Sequence, residues 1–210
     1  MFLILCLSLL LTFSFKIVEI IIRIPPLRKL EKYTVILWAI IILIAVPFFN
    51  ETYVLKMPLH YDRAFPIFGF LILVNVIASR FSGYNPIGKY NIINFLVTYP
   101  IIEEIVFRGL ILHNIKQFFS SSEIIQVLYM PVTIPIIFSA FLFAICHLQY
   151  YSLSALSVRF MILAFLGGIM LGAMAEMTES ILYALILHIV FNSFSVFFAK
   201  RALLKSYSRK

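Results

Sequence analysis

Long, uninterrupted apolar segments constrain the fold of this chain more than any other feature. Its 210 residues are 63% hydrophobic and only 12% charged, whereas soluble domains are about half apolar and about a quarter charged. A helix that crosses the hydrocarbon core of a bilayer needs about 20 predominantly apolar residues. Because a backbone in lipid must satisfy its own hydrogen bonds, the sequence predicts an all-α fold, a polytopic membrane helix bundle.

Segments with the required apolarity predict about seven transmembrane helices. They cover residues 2–22, 33–49, 64–79, 91–112, 132–151, 155–176 and 181–199. Segment 114–130 mixes polar and apolar residues, which predicts an element along the membrane interface, and Pro131 and Pro135 suit the start of the next helix. Gly168 and Gly172, four apart in the sixth segment, predict close helix packing.

The distribution of lysine and arginine predicts the orientation of the bundle. Twelve basic residues fall in loops on one predicted side of the membrane, and three fall on the other. The three are Lys56, Arg63 and Lys116. Cytoplasmic loops accumulate basic residues, so we expect the N-terminus outside and the C-terminus in the cytoplasm, with residues 200–210 as a basic tail. The net charge of +8 then reflects topology, and no nucleic-acid partner is expected.

The stretch YPIIEEIVFRGLIL, residues 99–112, places two adjacent glutamates and an arginine inside an apolar segment. An ionised carboxylate in hydrocarbon costs several kcal/mol. Glu104 and Arg108, four residues apart, share a helix face and can form an ion pair that reduces this cost. Glu103 lies about 100° around the helix from Glu104 and has no obvious partner in its own segment. A packing device would not need this second carboxylate, so Glu103 is a functional candidate.

Three further polar residues occur in the apolar segments that follow. His147 lies four residues after Phe143 in the fifth segment, and His188 and Asn192 share one face of the seventh. The helix rise puts both histidines and Glu103 within about 10 Å of one another in depth, so they can line one cavity. A carboxylate beside an imidazole can take a proton from water, and a histidine and an amide can stabilise an oxyanion. Together they predict hydrolysis of a carbonyl substrate, most simply a peptide bond.

The same side chains could instead hold a divalent metal. If a metal is bound, the expected ligands are Glu103, His147 and His188, and the expected ion is zinc. The zincin pattern H-E-x-x-H is absent from the sequence, and asparagine is a poor zinc ligand. The sequence therefore favours a site without a metal or other cofactor, with zinc as the alternative.

Three motifs follow one another on separate predicted helices: EEIVFR at 103–108, FAICH at 143–147 and HIVFN at 188–192. In this order they resemble the CPBP family, the CaaX-protease and bacteriocin-processing (Abi) group of intramembrane proteases. The resemblance covers residues 91–199, expected to be the catalytic core, whereas residues 1–90 match only as generic transmembrane helices. The roles that it implies are general base for Glu103, water positioning for His147, oxyanion hole for His188 and Asn192, a structural pair for Glu104 and Arg108, and packing for Phe143.

The sequence thus predicts an intramembrane endopeptidase that hydrolyses a peptide bond of a membrane-associated or CaaX-like substrate. One alternative is a non-catalytic membrane regulator or immunity protein that binds a peptide or membrane partner. Another is a proton-coupled transporter, which is disfavoured because the chain is short and lacks two matching halves. The expected partners are the lipid bilayer and a peptide or membrane-protein substrate. The expected location is the cytoplasmic membrane of a prokaryote.

Overall fold

A computed structural model describes residues 2–49, 52–117, 119 and 123–207, so Arg209 and Lys210 of the expected basic tail lie outside the described residues. Within these ranges the chain folds into a helical bundle with a short β-hairpin. The helices are α1 (Phe2–Thr12), α2 (Ser14–Ile22), α3 (Thr34–Ala45), α4 (Tyr61–Ser79), α5 (Lys89–Ile93), α6 (Tyr99–Glu104), α7 (His113–Lys116), α8 (Ile134–Cys146), α9 (Ala155–Thr178) and α10 (Leu182–Tyr207), and the antiparallel strands are β1 (Glu123–Val127) and β2 (Met130–Thr133).

The apolar segments are largely helical, and several are long enough to cross a membrane. In the described part of the chain, four stretches have the necessary length and apolarity, namely Arg28–Phe48, Tyr61–Ser79, Ala155–Thr178 and Leu182–Leu204. Counting α1 and α2, which are bent by 57°, as one broken span gives a fifth. The apolar stretch Ile134–Gln149 is shorter. The protein is therefore a multi-pass, all-α membrane bundle, and the number seven stays a prediction.

The bend between α1 and α2 is caused by the side chain of Gln149, which inserts between two backbone groups of this span. In a straight helix the N–H of Lys16 would donate to the carbonyl of Thr12. Instead, the Gln149 amide lies between them: its Oε1 accepts from the Lys16 N–H at 2.9 Å, and its Nε2 donates to the Thr12 carbonyl at 2.7 Å. A side chain inserted into the backbone ladder kinks a helix. This contact also ties the chain that follows α8 to the first two helices.

The acidic helix, which we define as residues 89–116, runs through the centre of the bundle. It consists of α5, α6 and α7 joined by two π-helical stretches, Asn94–Thr98 and Ile105–Leu112. Buried apolar side chains form two clusters, and Phe143 belongs to one while Leu187 belongs to the other. The polar residues beside them, described below, therefore lie where the two clusters meet.

The β-hairpin gives the secondary structure of the second half of segment 114–130, of which residues 118 and 120–122 lie outside the described ranges. The sequence predicted an element along the membrane interface and left its secondary structure open. β-Branched residues are frequent here, and they favour strands. Pro131 lies in β2 opposite Gln126, so the expectation that it opens the next helix is wrong. Pro135 does lie in the first turn of α8.

A cluster of hydrogen bonds fixes the end of the acidic helix against the end of α9. The hydroxyl of Tyr53 lies 3.1 Å from both Lys116 Nζ and Glu176 Oε2, and Lys116 pairs with Glu176 at 2.5 Å. Burial, reinforced by the Glu176 charge, raises the pKa of Tyr53 to about 12. The hydroxyl is therefore protonated at neutral pH, and it donates to Glu176 while accepting from Lys116.

Two glycines let α8 and α9 approach closely. A Cβ added at Gly168 would lie 3.0 Å from the Cβ and 3.2 Å from the Cα of Ala140, and 3.3 Å from the Phe143 ring. A Cβ added at Gly172 would lie 3.1 Å from Ile136. These contacts confirm the close packing expected from the spacing of the two glycines.

Replacing Gly168 by alanine should destabilise the bundle by about 1–3 kcal/mol, as overpacking typically does, because the new methyl group meets the backbone of Ala140. Gly167→Ala is the matched control: no described atom lies within 4 Å of its added Cβ, and alanine is favoured over glycine in a helix by about 1 kcal/mol. Thermal unfolding in one detergent compares the two. A Tm of Gly168→Ala at or above that of Gly167→Ala would contradict the packing.

Candidate active site

The Glu104 carboxylate lies fully buried where four helical elements meet. Its Oε1 accepts hydrogen bonds from Arg108 Nη1 at 3.0 Å and from His188 Nδ1 at 2.8 Å. Arg108 also donates from Nη2 to the carbonyl of Gly168 at 3.3 Å, and its guanidinium lies 4.4 Å from the centre of the Phe143 ring. The ion pair expected from sequence spacing is therefore present, and it connects the acidic helix to α8, α9 and α10.

Glu103, one residue earlier, approaches the other side of the same imidazole. Its Oε2 lies 3.8 Å from Nε2 of His188, which is too long for a hydrogen bond, and the contact is an ion pair only when the imidazole is protonated. A carboxylate accepts hydrogen bonds, so we assign the proton of the neutral tautomer of His188 to Nδ1, which lies 2.8 Å from Oε1 of Glu104. Nε2 is then a free acceptor that faces Glu103. His188 thus bridges the two adjacent glutamates.

His147 lies at the C-terminal end of α8, in the short 3₁₀ turn His147–Gln149. Its Nδ1 lies 2.9 Å from the carbonyl oxygen of Phe143, so Nδ1 donates and Nε2 is left as an acceptor. The Phe143 ring packs edge-on against both imidazoles, with centroids 5.3 Å from His147 and 5.8 Å from His188. Phe143 therefore orients the two histidines relative to each other.

Asn192 is held by a backbone carbonyl that Pro100 leaves without a donor. In the π-helical stretch of the acidic helix, the N–H of Tyr99 donates to the carbonyl of Asn94, five residues earlier. The carbonyl of Phe95 would then pair with residue 100, but proline has no N–H. Nδ2 of Asn192 donates to this carbonyl at 2.8 Å. A local defect in one helix thereby fixes the side chain of another.

A cavity of about 330 Å³ brings these polar side chains together. His147, His188 and Asn192 line it beside Phe143, and most of the remaining wall is apolar and comes from α4, α9 and α10. Glu103 is not among the described residues of the wall, and it is 6% exposed. Glu103 lies 3.8 Å from His188, and His188 lines the cavity.

The wall of the cavity also contains polar residues that were not predicted from the sequence, among them Asn75, Tyr84 and Tyr151. Asn75 lies in α4 and donates to the carbonyl of Leu187 at 3.0 Å. The lone asparagine in the apolar stretch LILVNVIAS could have predicted this contact, because polar residues in membrane helices form interhelical hydrogen bonds. The two tyrosines follow no local pattern. Since α4 contributes to the wall, the cavity is not confined to residues 91–199.

The arrangement of side chains also bears on the zinc alternative. Among the residues that the structure describes, no three His, Cys, Asp or Glu side chains are grouped as metal ligands. The expected ligand set of Glu103, His147 and His188 is not among such groups. Zinc therefore stays the alternative to a site without a metal.

Comparison with known proteins identifies the family. A family model described as type II CAAX prenyl endopeptidase Rce1-like matches residues 86–194, about half of the chain. No curated protein and no solved structure matches the chain. The matched region contains the acidic helix and all three motifs, which confirms the expected resemblance to the CaaX-protease group. The chain therefore belongs to the Rce1-like family of type II CAAX prenyl endopeptidases.

Proposed function

We propose that this protein is an intramembrane endopeptidase that hydrolyses a peptide bond in a membrane-associated or CaaX-like substrate, with Glu103 as the general base. The observation that carries the proposal is the 3.8 Å approach of Glu103 to His188, beside an apolar cavity that His147 and Asn192 also line. Membership of a protease family supports the reaction class. We propose that the reaction needs no metal.

The first step is the attack of water on the scissile carbonyl carbon. Nε2 of His147, whose Nδ1 proton is held by the Phe143 carbonyl, accepts one hydrogen bond from the water and orients it. Glu103 takes the other proton as the new C–O bond forms and the carbonyl oxygen becomes an oxyanion. General-base catalysis of this kind contributes about 10²- to 10⁴-fold.

The oxyanion is stabilised by Asn192 and His188. One N–H of the Asn192 amide is bonded to the Phe95 carbonyl, and the second is available for the oxyanion. Neutral His188 has no hydrogen on Nε2, so it donates only after it gains a proton. Glu103 lies close enough to pass on the proton taken from water, and Glu104, bonded to Nδ1, stabilises the imidazolium that results.

Collapse of the tetrahedral intermediate completes the reaction. The C–N bond breaks, and the leaving amine takes the proton that the Glu103–His188 pair has held. The products are a carboxylic acid and an amine, and transfer of the acid proton to the amine gives a carboxylate and an ammonium ion. Both glutamates and His188 return to their starting state. A pair that stores one proton between a carboxylate and an imidazole can serve as base and then as acid.

The cavity wall supports an apolar, membrane-associated substrate. Leu71, Val74, Leu163 and Met170 are among its residues. Tyr84 and Tyr151 lie near loops that the positive-inside rule assigns to the cytoplasm. We therefore place the N-terminus outside, the C-terminus in the cytoplasm, and substrate entry on the cytoplasmic side of a prokaryotic cytoplasmic membrane.

Glu103→Gln should abolish cleavage of a farnesylated CaaX peptide and leave thermal stability unchanged. A glutamine cannot take a proton, and Glu103 lies outside the hydrogen-bonded pair of Glu104 and Arg108. We expect a loss of at least about 100-fold, measured by mass spectrometry of the products with purified protein. Cleavage by the wild-type protein should be insensitive to a chelator.

The matched control is Glu31→Gln, which removes a half-exposed carboxylate 3.7 Å from Arg23 and should cleave like the wild type. Wild-type cleavage by Glu103→Gln would show that Glu103 is not the base. Loss of activity in the presence of a chelator, followed by recovery when zinc is added, would support a zinc-dependent reaction.

Glu104→Gln should lose stability as well as activity. It leaves the fully buried Arg108 without its ion-pair partner, and breaking a buried pair costs about 3–5 kcal/mol. The double variant with Arg108→Met removes both charges, so it should regain most of the stability but not the activity, because His188 remains without its carboxylate. Thermal unfolding and peptide cleavage separate the two effects. Wild-type stability of the single variant would argue against the pair.

Asn192→Ala should lower kcat by about 10²- to 10³-fold, as loss of an oxyanion donor does, with little change in KM. Asn75→Ala is the matched control, because Asn75 also lies in the cavity wall and donates to a backbone carbonyl. We expect its kcat to fall by less than about tenfold. Equal losses in kcat for the two variants would reduce the role of Asn192 to packing.

A further inference from the structure

A second cavity lies at the N-terminal end of α4, away from the site described above. It is open, has a volume of about 750 Å³, and lies between α4, the β-hairpin and the end of α9. We call it the hairpin groove. The residues that matter for its chemistry are His60, Arg63, Ile67, Phe70, Tyr129 and Met177.

The α4 wall of the groove changes from cationic to apolar along the helix. Arg63, Pro66, Ile67 and Phe70 all line it, and their spacing of three, four and seven residues places them on one helix face. The distance from Arg63 to Phe70 along the axis is about 10 Å. His60, at the start of α4, adds a second nitrogen-bearing side chain at the Arg63 end.

This cationic end lies at the start of a helix that is long and apolar enough to cross a membrane. The membrane-spanning stretch of this helix is Tyr61–Ser79, so Arg63 stands in its first turn while Phe70 lies well inside the apolar part. Arg63 is exposed, and no Asp or Glu of the described residues lines the groove. The groove therefore combines a cation, with no described carboxylate in its wall, and an apolar stripe along the same helix.

The hairpin tip supplies the opposite wall. Leu128 and Tyr129 form its two-residue turn, and both have positive φ, 53° and 61°. Such turns favour Asn-Gly, and bulky residues in this conformation are strained. The chain nevertheless has large side chains here, and Tyr129 is 86% exposed. Tyrosine is favoured at the boundary between lipid and water.

We infer that the hairpin groove is a binding site for an anionic phospholipid. Arg63, with His60 beside it, binds the phosphate, and an acyl chain lies along Ile67 and Phe70. Tyr129 closes the groove at the level of the head group. The match of a cation to a phosphate and of an apolar stripe to a chain favours a lipid over a soluble peptide or a second copy of this chain. The site is independent of the proposed protease chemistry.

The test measures retained lipid on three forms of the full-length protein: wild type, Arg63→Gln and Lys56→Gln. Each is incorporated into bilayers of phosphatidylcholine and phosphatidylglycerol in equal parts, extracted in mild detergent, and examined by native mass spectrometry. One basic residue contributes about 1 kcal/mol to binding of anionic lipid, so Arg63→Gln should retain about fivefold less phosphatidylglycerol. Lys56, an exposed cation on the same predicted side and outside the groove, is the matched control and should retain it like the wild type.

A second arm tests the apolar half and the alternatives. Phe70→Ala should also lower lipid retention, and soluble glycerol phosphate should not displace the lipid, because it has no chain to bury. Equal retention by Arg63→Gln and Lys56→Gln, or displacement by glycerol phosphate, would overturn the lipid site. A dimer in detergent that Tyr129→Ser converts to a monomer would likewise overturn it, since the groove would then be an interface between copies.

Discussion

The site depends on the hydrogen bonds that the buried Glu104 carboxylate accepts. A charge in this position is tolerated only with good geometry, because desolvation of an ion pair can exceed its Coulombic gain. Here one oxygen accepts from both Arg108 and His188, while Arg108 also reaches the Gly168 carbonyl and lies over the Phe143 ring. The network therefore sets how the acidic helix, α8, α9 and α10 pack together. It also holds His188 in one orientation.

Two adjacent glutamates acquire different environments because a helix turns by about 100° per residue. Glu104 is bonded into the network, whereas Glu103 lies 3.8 Å from the other side of His188. The proposed division between a structural and a chemical carboxylate follows from this rotation. Irregularity in the same helix serves the site as well, since Pro100 leaves the Phe95 carbonyl for Asn192. π-Helical stretches are rare and occur frequently at functional sites.

The two cavities share one side of α4. Leu71, Val74 and Asn75 line the cavity beside the histidines, whereas Arg63, Ile67 and Phe70 line the hairpin groove closer to the start of the helix. In α9, Met170 lines the cavity beside the histidines and Met177 lines the hairpin groove. The seam between α4 and α9 therefore provides room for ligands at two depths. Close packing between α8 and α9, made possible by Gly168 and Gly172, contrasts with this open seam.

Local patterns in the sequence determined the membrane bundle, the pairing of Glu104 with Arg108 and the small-residue packing of α9. These features depend on composition and on neighbours within one helical turn, so they can be read from spacing alone. The three motifs also predicted which side chains would gather, although not how. The secondary structure of segment 114–130 was not predicted, because strand and helix compete in short mixed stretches. The expectation for Pro131 was wrong, since this residue lies in a strand.

Only the tertiary structure decided how each helix is rotated and which distant groups meet. His188 binds Glu104 across 84 residues, Asn192 reaches Phe95 across 97, and Gln149 bends the first span across 133 or more. Such contacts arise from the packing of whole helix surfaces, in which a small rotation exchanges one partner for another. The position of Glu103 beside His188, and the contribution of α4 to the cavity, have the same origin. A one-dimensional pattern specifies which faces are polar, but the partner of each face is chosen by the fold.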